Sequence, residues 1–153
     1  MIKHKKQKRG YSCIALDRPK SASNVGGVLR AAGCYGADLI VVSGQRYNKS
    51  KLDTQKAHKH IPLLEVQDIE ASVPKDCEVV AVDLVDGATN LCNFVHPERA
   101  MYVFGSEDST LDDRVLKFAK YKVYVPTNHC MNLAATANVI LYDRMTKRKE
   151  FDV

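Results

Sequence analysis

Short, continuously apolar runs alternate with longer amphipathic ones along this chain. Ser12 to Leu16, Asp38 to Ser43, Glu78 to Asp83 and Met101 to Phe104 are runs of β-branched, aliphatic or aromatic residues between polar stops. That is the pattern of strands buried on both faces. Lys122 to Pro126 reads as the last strand and Leu63 to Val66 as a brief one. A helix is predicted from Ser23 or Asn24 to Gly36, where a glycine suits the C-cap. Another covers Thr110 to Lys120, with Leu111, Val115, Leu116, Phe118 and Ala119 at helical spacing. The last runs from Met131 to Met145. It is apolar nearly all round in its first turns and so is expected in the core or in a subunit interface. Ile69 to Val73 suggests a short helix, and residues 44–60 a polar, lysine-rich loop with another. Strands alternating with helices predict an α/β fold whose mainly parallel sheet is flanked by helices.

Bulk properties narrow the class. A chain of 153 residues with 45% apolar content suits one globular domain. No stretch reaches the roughly 18 apolar residues of a membrane helix, so no membrane association is expected. The N-terminus has no apolar core after its charges and is not a secretory signal. Five cysteines (Cys13, Cys34, Cys77, Cys92, Cys130) form no Cys-x-x-Cys pair. They read as reduced, mostly buried thiols of a cytoplasmic protein. Asn48-Lys49-Ser50 is taken as a chance match to a glycosylation acceptor. The net charge of +5 is localised: residues 1–10 hold Lys3, Lys5, Lys6, Lys8 and Arg9 and no acid. The expected organisation is a basic flexible arm, 1–10, before one domain, 11–153. The arm either follows a phosphate backbone or merely solubilises the terminus.

Metal chemistry is not expected. His58 and His60 are two apart and have no cysteine or carboxylate partner at ligand spacing. There is no Gly-x-Ser-x-Gly elbow either. Attention falls instead on three junctions between strands and helices: Asn24 to Arg30, Phe104 to Glu107, and Val125-Pro126-Thr127 running on to Asn132. Parallel α/β folds bind ligands at such junctions. Each segment also has a plain structural reading. Asn24 and Asn132 suit helix N-caps, Glu107, Asp108 or Ser109 could cap the helix that follows, and Arg30 suits an exposed helix face.

Taken together, the three segments resemble the three motifs of the SpoU (TrmH) branch of the SPOUT RNA methyltransferases. The family's first motif reads Asn-x-Gly-x-Ile/Val-x-Arg-x-Ala-x-x-Phe/Tyr-Gly. Asn24, Gly26, Val28, Arg30, Ala32, Tyr35 and Gly36 fall in its register. Gly105-Ser106-Glu107 matches the second motif, and Val125-Pro126 with Asn132 the third. The resemblance spans roughly residues 11 to 145. It implies a C-terminal trefoil knot in an α/β domain, S-adenosylmethionine as methyl donor, and a homodimer. The implied reaction is methylation of a ribose 2′-hydroxyl in transfer or ribosomal RNA. The extra N-terminal RNA-binding domain of many ribosomal RNA methyltransferases of the family is not expected here, and transfer RNA is therefore the expected substrate.

Residue by residue, the resemblance implies catalytic roles for Arg30, Asn24, Glu107 and Asn132. It implies cofactor binding by Phe104, Gly105, Ser106, Glu107, Val125, Pro126, Met131, Leu133 and Ala134. Substrate binding falls to Arg30, Cys130 and Asn132, with the arm residues Lys5, Lys6, Lys8 and Arg9. Guanidinium resists deprotonation, so Arg30 suits a donor to a developing alkoxide and a neighbouring phosphate better than a base. The chain departs from the pattern at Asp108 and Thr110, where glycines are usual. It departs again at Cys130 and Ala134, where serines are usual. These departures leave an alternative: a catalytically weak or inactive RNA-binding dimer of the same fold.

Overall fold

A computed structural model of the chain describes residues 9–48 and 61–150. The arm residues Lys3, Lys5, Lys6 and Lys8, and most of the lysine-rich stretch with His58 and His60, lie outside the described residues. The elements are β1 (Tyr11–Asp17), α1 (Ala22–Tyr35), β2 (Leu39–Ser43), β3 (Leu63–Val66), β4 (Glu78–Val82), β5 (Thr89–Asn90), β6 (Arg99–Phe104), α2 (Asp113–Phe118), β7 (Tyr121–Tyr124) and α3 (Leu133–Arg148). Single 3₁₀ turns occupy Glu70–Ser72 and Leu91–Asn93.

The seven strands form one sheet in the order β3-β2-β1-β6-β4-β7-β5, every neighbouring pair parallel. Side chains alternate between its faces, as the two-residue period of a strand requires. Ile14, Leu16, Ile40, Val42, Val80, Tyr102 and Phe104 pack with residues of α1 and α3. Cys13, Ala15, Val41, Val79, Met101 and Val103 pack with Ile69, Leu111 and Val115 on the other face. The expected parallel sheet covered on both sides is therefore what forms. β7 pairs with both β4 and β5, so the chain enters the sheet between two strands that precede it.

Several boundaries differ from the expectations. α1 starts at Ala22 because the Ser21 hydroxyl accepts from the Asn24 N–H at 3.2 Å, which makes Ser21 the N-cap. The expected helix Thr110–Lys120 shortens to α2. Asp112 caps it, and the Leu111 N–H is drawn away to the Asp83 carboxylate at 2.8 Å. α3 begins after Asn132, its N-cap, and runs on to Arg148. β7 stops at Tyr124, which leaves Val125 and Pro126 in the loop beyond it. The two-residue β5 has no sequence signature and was not expected. The cysteines are also less hidden than expected: Cys13 is buried, but Cys34, Cys92 and Cys130 are exposed.

Glycine decides how closely α1 and α3 approach. A Cβ on Gly27 would stand 2.6 Å from the Ala134 Cβ, well inside contact distance. The two helices cross at this pair of small residues, which brings their N-terminal ends, and so Asn24 and Asn132, together.

Candidate active site

The carboxyl ends of β4, β6 and β7 and the loops beyond them surround a cleft of about 460 Å³. Crevices of this kind lie outside the carboxyl ends of parallel strands because loops diverge there and leave backbone groups exposed. Phe104, Gly105, Ser106, Glu107, Val125, Cys130, Met131 and Leu133 all line it. Pro126 belongs to an adjoining hollow with Leu84 and Tyr124. Ala134 does not line the cleft; it faces Gly27 in the helix crossing. Gly105 lies tight against Leu111, whose backbone nitrogen would stand 3.3 Å from an added Cβ. A side chain at this position would therefore crowd the buried Leu111.

Beside the cleft, side chains from all three motifs are joined in one hydrogen-bonded chain. The Glu107 carboxylate accepts from the Lys20 N–H at 2.9 Å, the Ser21 N–H at 3.3 Å and the Asn24 side-chain amide at 3.1 Å. The Asn24 amide oxygen accepts from the Asn132 side-chain amide at 2.7 Å. The Asn132 oxygen in turn caps α3, accepting from the Ala134 and Ala135 N–H groups at 2.9 and 3.2 Å. Partial burial pushes the Glu107 carboxyl up. Hydrogen bonds from its own N–H, from Lys20, from Asn24 and from Ser21 outweigh that and hold it below the ordinary carboxylate value. Glu107 is therefore a fixed negative charge whose oxygens are committed to donors.

Asn132 is thus both a cap and a member of this chain. Asn24 is not a cap, and neither is Glu107, because Ser21 and Asp112 take those roles. Arg30 is exposed on α1, six residues beyond Asn24, or ~9 Å along the axis at the standard helical rise. The structure does not bring it into the Glu107–Asn24–Asn132 chain. Arg9 pairs with Glu98 at 3.2 Å, just before β1 and β6 begin. That is the opposite end of the sheet from the cleft. Among the described residues no group of His, Cys, Asp or Glu is arranged to hold a metal ion, and no helix is long and apolar enough to cross a membrane.

Sequence reasoning missed Asp83, Leu84, Tyr124 and Thr136, which also line the cleft. Asp83 and Leu84 had a usable signal, since they directly follow an apolar strand, as Gly105 does. Asp83 organises the rim by accepting from the N–H groups of Leu84 and Leu111, both at 2.8 Å. The Lys20 and Ser21 contacts had no signal, because they are made by backbone groups.

Comparison with known proteins identifies the family and agrees with the fold. Residues 11–142 match the model of the SpoU rRNA Methylase family, and the chain belongs to that family. A protein of Staphylococcus aureus assigned to the TrmH family of tRNA/rRNA methyltransferases is 24% identical over 97% of this chain. This chain spans 64% of that relative's length. The SpoU methyltransferase AviRb from Streptomyces viridochromogenes, solved with the cofactor AdoMet, superposes with a TM-score of 0.79 at 20% identity. That match covers 95% of this chain and 64% of AviRb. A structure concerned with 2-OH methylation on tRNA superposes with a TM-score of 0.80 at 20% identity, covering 94% of both chains.

Proposed function

We propose that this protein is an S-adenosylmethionine-dependent RNA methyltransferase that methylates a ribose 2′-hydroxyl, in transfer RNA rather than ribosomal RNA. The observation that carries the reading is the Glu107–Asn24–Asn132 chain standing beside a cleft at the strand ends. A volume of about 460 Å³ suits a nucleoside-sized ligand. Its lining combines apolar side chains (Leu84, Val125, Leu133) with the exposed backbone of Gly105 and its neighbours, which can read an adenine edge. When bound, S-adenosylmethionine supplies an electrophilic methyl group on a sulfonium. Phe104, Gly105, Ser106, Glu107, Val125, Met131 and Leu133 hold it, with Pro126 at the rim. Ala134 lets α3 sit against α1.

The chain's own residues then act mainly by alignment. Asn24 and Asn132, fixed by Glu107, orient the groups at the mouth of the cleft. Arg30 donates to the ribose oxygen as charge develops on it and to a neighbouring phosphate. Cys130, on the cleft wall, meets the substrate where the family's motif usually has serine. Asp108 does not argue for an inactive protein, because it leaves every Glu107 hydrogen bond in place.

The active form is a cytoplasmic homodimer. Val139 and Tyr142 on α3 are 37% and 56% exposed, and Tyr35 of α1 meets the Tyr142 ring edge-on at 6.0 Å. This exposed apolar face supports a second copy as its cover. Residues 11–153 act as one methyltransferase domain and 1–10 as a basic arm that adds phosphate contacts. The C-terminus is knotted; the position of β7 between β4 and β5 supports that reading.

The test is methyl transfer from labelled S-adenosylmethionine to bulk transfer and ribosomal RNA, followed by mass spectrometry of the nucleosides. A 2′-O-methylnucleoside in the transfer RNA fraction is expected. RNA binding with no transfer to either fraction would overturn the reading in favour of a non-catalytic RNA-binding dimer.

A further inference from the structure

Glu107 and its neighbour Asp108 grip the loop of residues 18–21 from two sides. Glu107 takes the loop's Lys20 and Ser21 N–H groups directly. Asp108 takes the loop through Arg46, which follows β2. The Arg46 guanidinium donates to Asp108 Oδ1 at 2.9 Å and Oδ2 at 3.3 Å. Its Nε and Nη2 donate to the Arg18 carbonyl at 3.2 and 3.0 Å. The Arg46 backbone N–H donates to the Pro19 carbonyl at 3.0 Å, and the Lys20 ammonium lies 3.8 Å from Asp108.

The loop needs such a hold. Arg18 has φ of +50°, a conformation that a non-glycine residue keeps only where its surroundings enforce it. Its N–H donates to the Ser43 carbonyl at 2.7 Å, and its side chain lies over Gly44, where a Cβ would come within 2.8 Å of the Arg18 Cγ. The end of β2 and the residues just beyond it therefore shape the loop at Arg18 and Pro19, and Glu107 and Asp108 hold it at Lys20.

From this arrangement we infer that Arg46, anchored by Asp108, is a positioning residue: it sets the loop that presents the Lys20 and Ser21 N–H groups to Glu107. Its catalytic consequence rests on the methyl transfer proposed above; its geometric consequence does not. Arg46 and Asp108 side chains are each about two-fifths exposed, at 43% and 42%, so the ion pair contributes little to overall stability. A planar guanidinium nevertheless fixes direction, because it bonds two acceptors along two edges at once. An ammonium at this position cannot do so. Hydrogen bonds from Arg46 first, and from Ser106 next, hold the Asp108 carboxyl far below its usual range. The SpoU motif that the chain resembles usually carries glycine where Asp108 stands.

Arg46→Lys, Asp108→Asn and the double variant test the inference through two readouts. The first is amide hydrogen exchange at Lys20 and Ser21, which needs no activity. Both single variants are expected to speed it by about 10-fold, with an unchanged melting temperature. The second is single-turnover methyl transfer. It is expected to slow by about 10-fold with S-adenosylhomocysteine affinity unchanged, as misplacement of catalytic groups does. The double variant should be no worse than either single one, because the two side chains act as a unit. Unchanged exchange at the two amides would overturn the inference. Faster exchange with undiminished transfer would overturn it too, by leaving the pair a purely structural role. Faster exchange in a protein whose wild type transfers no methyl group would uphold the loop-setting role while defeating the proposed reaction.

Discussion

Asn132 donates its side-chain amide to Asn24 at 2.7 Å across 108 residues of chain, while its oxygen caps the helix that it begins. One side chain therefore serves stability with one atom and site geometry with the other. The two roles are separable. Asn132→Ser should keep a cap and melt close to wild type, because serine is as good an N-cap as asparagine. It cannot reach Asn24, so methyl transfer should fall by at least about 10-fold. Asn132→Ala should lose both, with a stability cost of about 1 kcal/mol. Thermal melts run beside single-turnover assays check this. A serine variant with full activity would show that the Asn24 contact is dispensable.

Arg30 stands apart from that chain, exposed on α1. If it stabilises a developing alkoxide, Arg30→Ala should lose about 10²-fold to 10³-fold in turnover while retaining S-adenosylhomocysteine binding and the wild-type oligomeric state. Arg30→Lys should recover little, because a point charge does not replace a planar two-pronged donor. Near-silent substitutions, the usual result at an exposed helix residue, would remove Arg30 from the mechanism.

Much of this architecture was legible in the sequence for a simple reason. The parallel strands are buried on both faces, so they read as continuous apolar runs, and the three junctions carry side-chain chemistry that spacing reveals. What stayed hidden is made of backbone or of short elements. Thr89–Asn90 forms a strand only because β7 lies beside it. The Lys20 and Ser21 N–H groups leave no mark on residue type. The start of α1 was misjudged because Ser21, Ser23 and Asn24 all suit an N-cap, and only the loop's course selects Ser21. The packing of Ala134 was hidden because its place in the motif carries no information about which way its methyl group points; in the structure it faces Gly27.

The α1–α3 crossing predicts opposite outcomes for two glycines of one helix. Gly27→Ala forces a Cβ to 2.6 Å from that of Ala134, so the helices must part or shift. Overpacking of this kind costs about 1–3 kcal/mol. Gly33→Ala meets nothing within 4 Å and should gain about 0.5–1 kcal/mol, because alanine restricts the unfolded chain and favours helix. Denaturant titration measures both. Pairing Gly27→Ala with Ala134→Gly should recover part of the loss. A stable Gly27→Ala protein with normal turnover would show that the crossing is looser than its geometry.

The last prediction concerns the buried end of α3. The His96 ring is enclosed, with Nε2 2.7 Å from Asp143 Oδ2 and Nδ1 2.7 Å from the Tyr102 hydroxyl. An ionised carboxylate only accepts, so Nε2 carries the proton and Nδ1 accepts from the tyrosine. Tyr102 in turn accepts from Arg144 at 3.1 Å, and Lys147 sits 2.8 Å from Asp143. Burial lowers the His96 pKa from its ordinary 6.5. The nearby Asp143 raises it, and the positive Arg144 and Lys147 lower it further, so the net shift is downward. Protons therefore bind the unfolded chain first as pH falls. The stability tied to a neutral His96 is complete above about pH 6.5. It declines below that pH and stops declining once the folded-state value is passed. The slope for this single group cannot exceed about 1.4 kcal/mol per pH unit. Urea unfolding between pH 7.5 and 5 should show wild-type stability falling more steeply than that of His96→Gln, whatever the variant's absolute stability. Parallel pH profiles for the two proteins would mean that His96 takes up its proton as readily in the folded protein as in the unfolded chain.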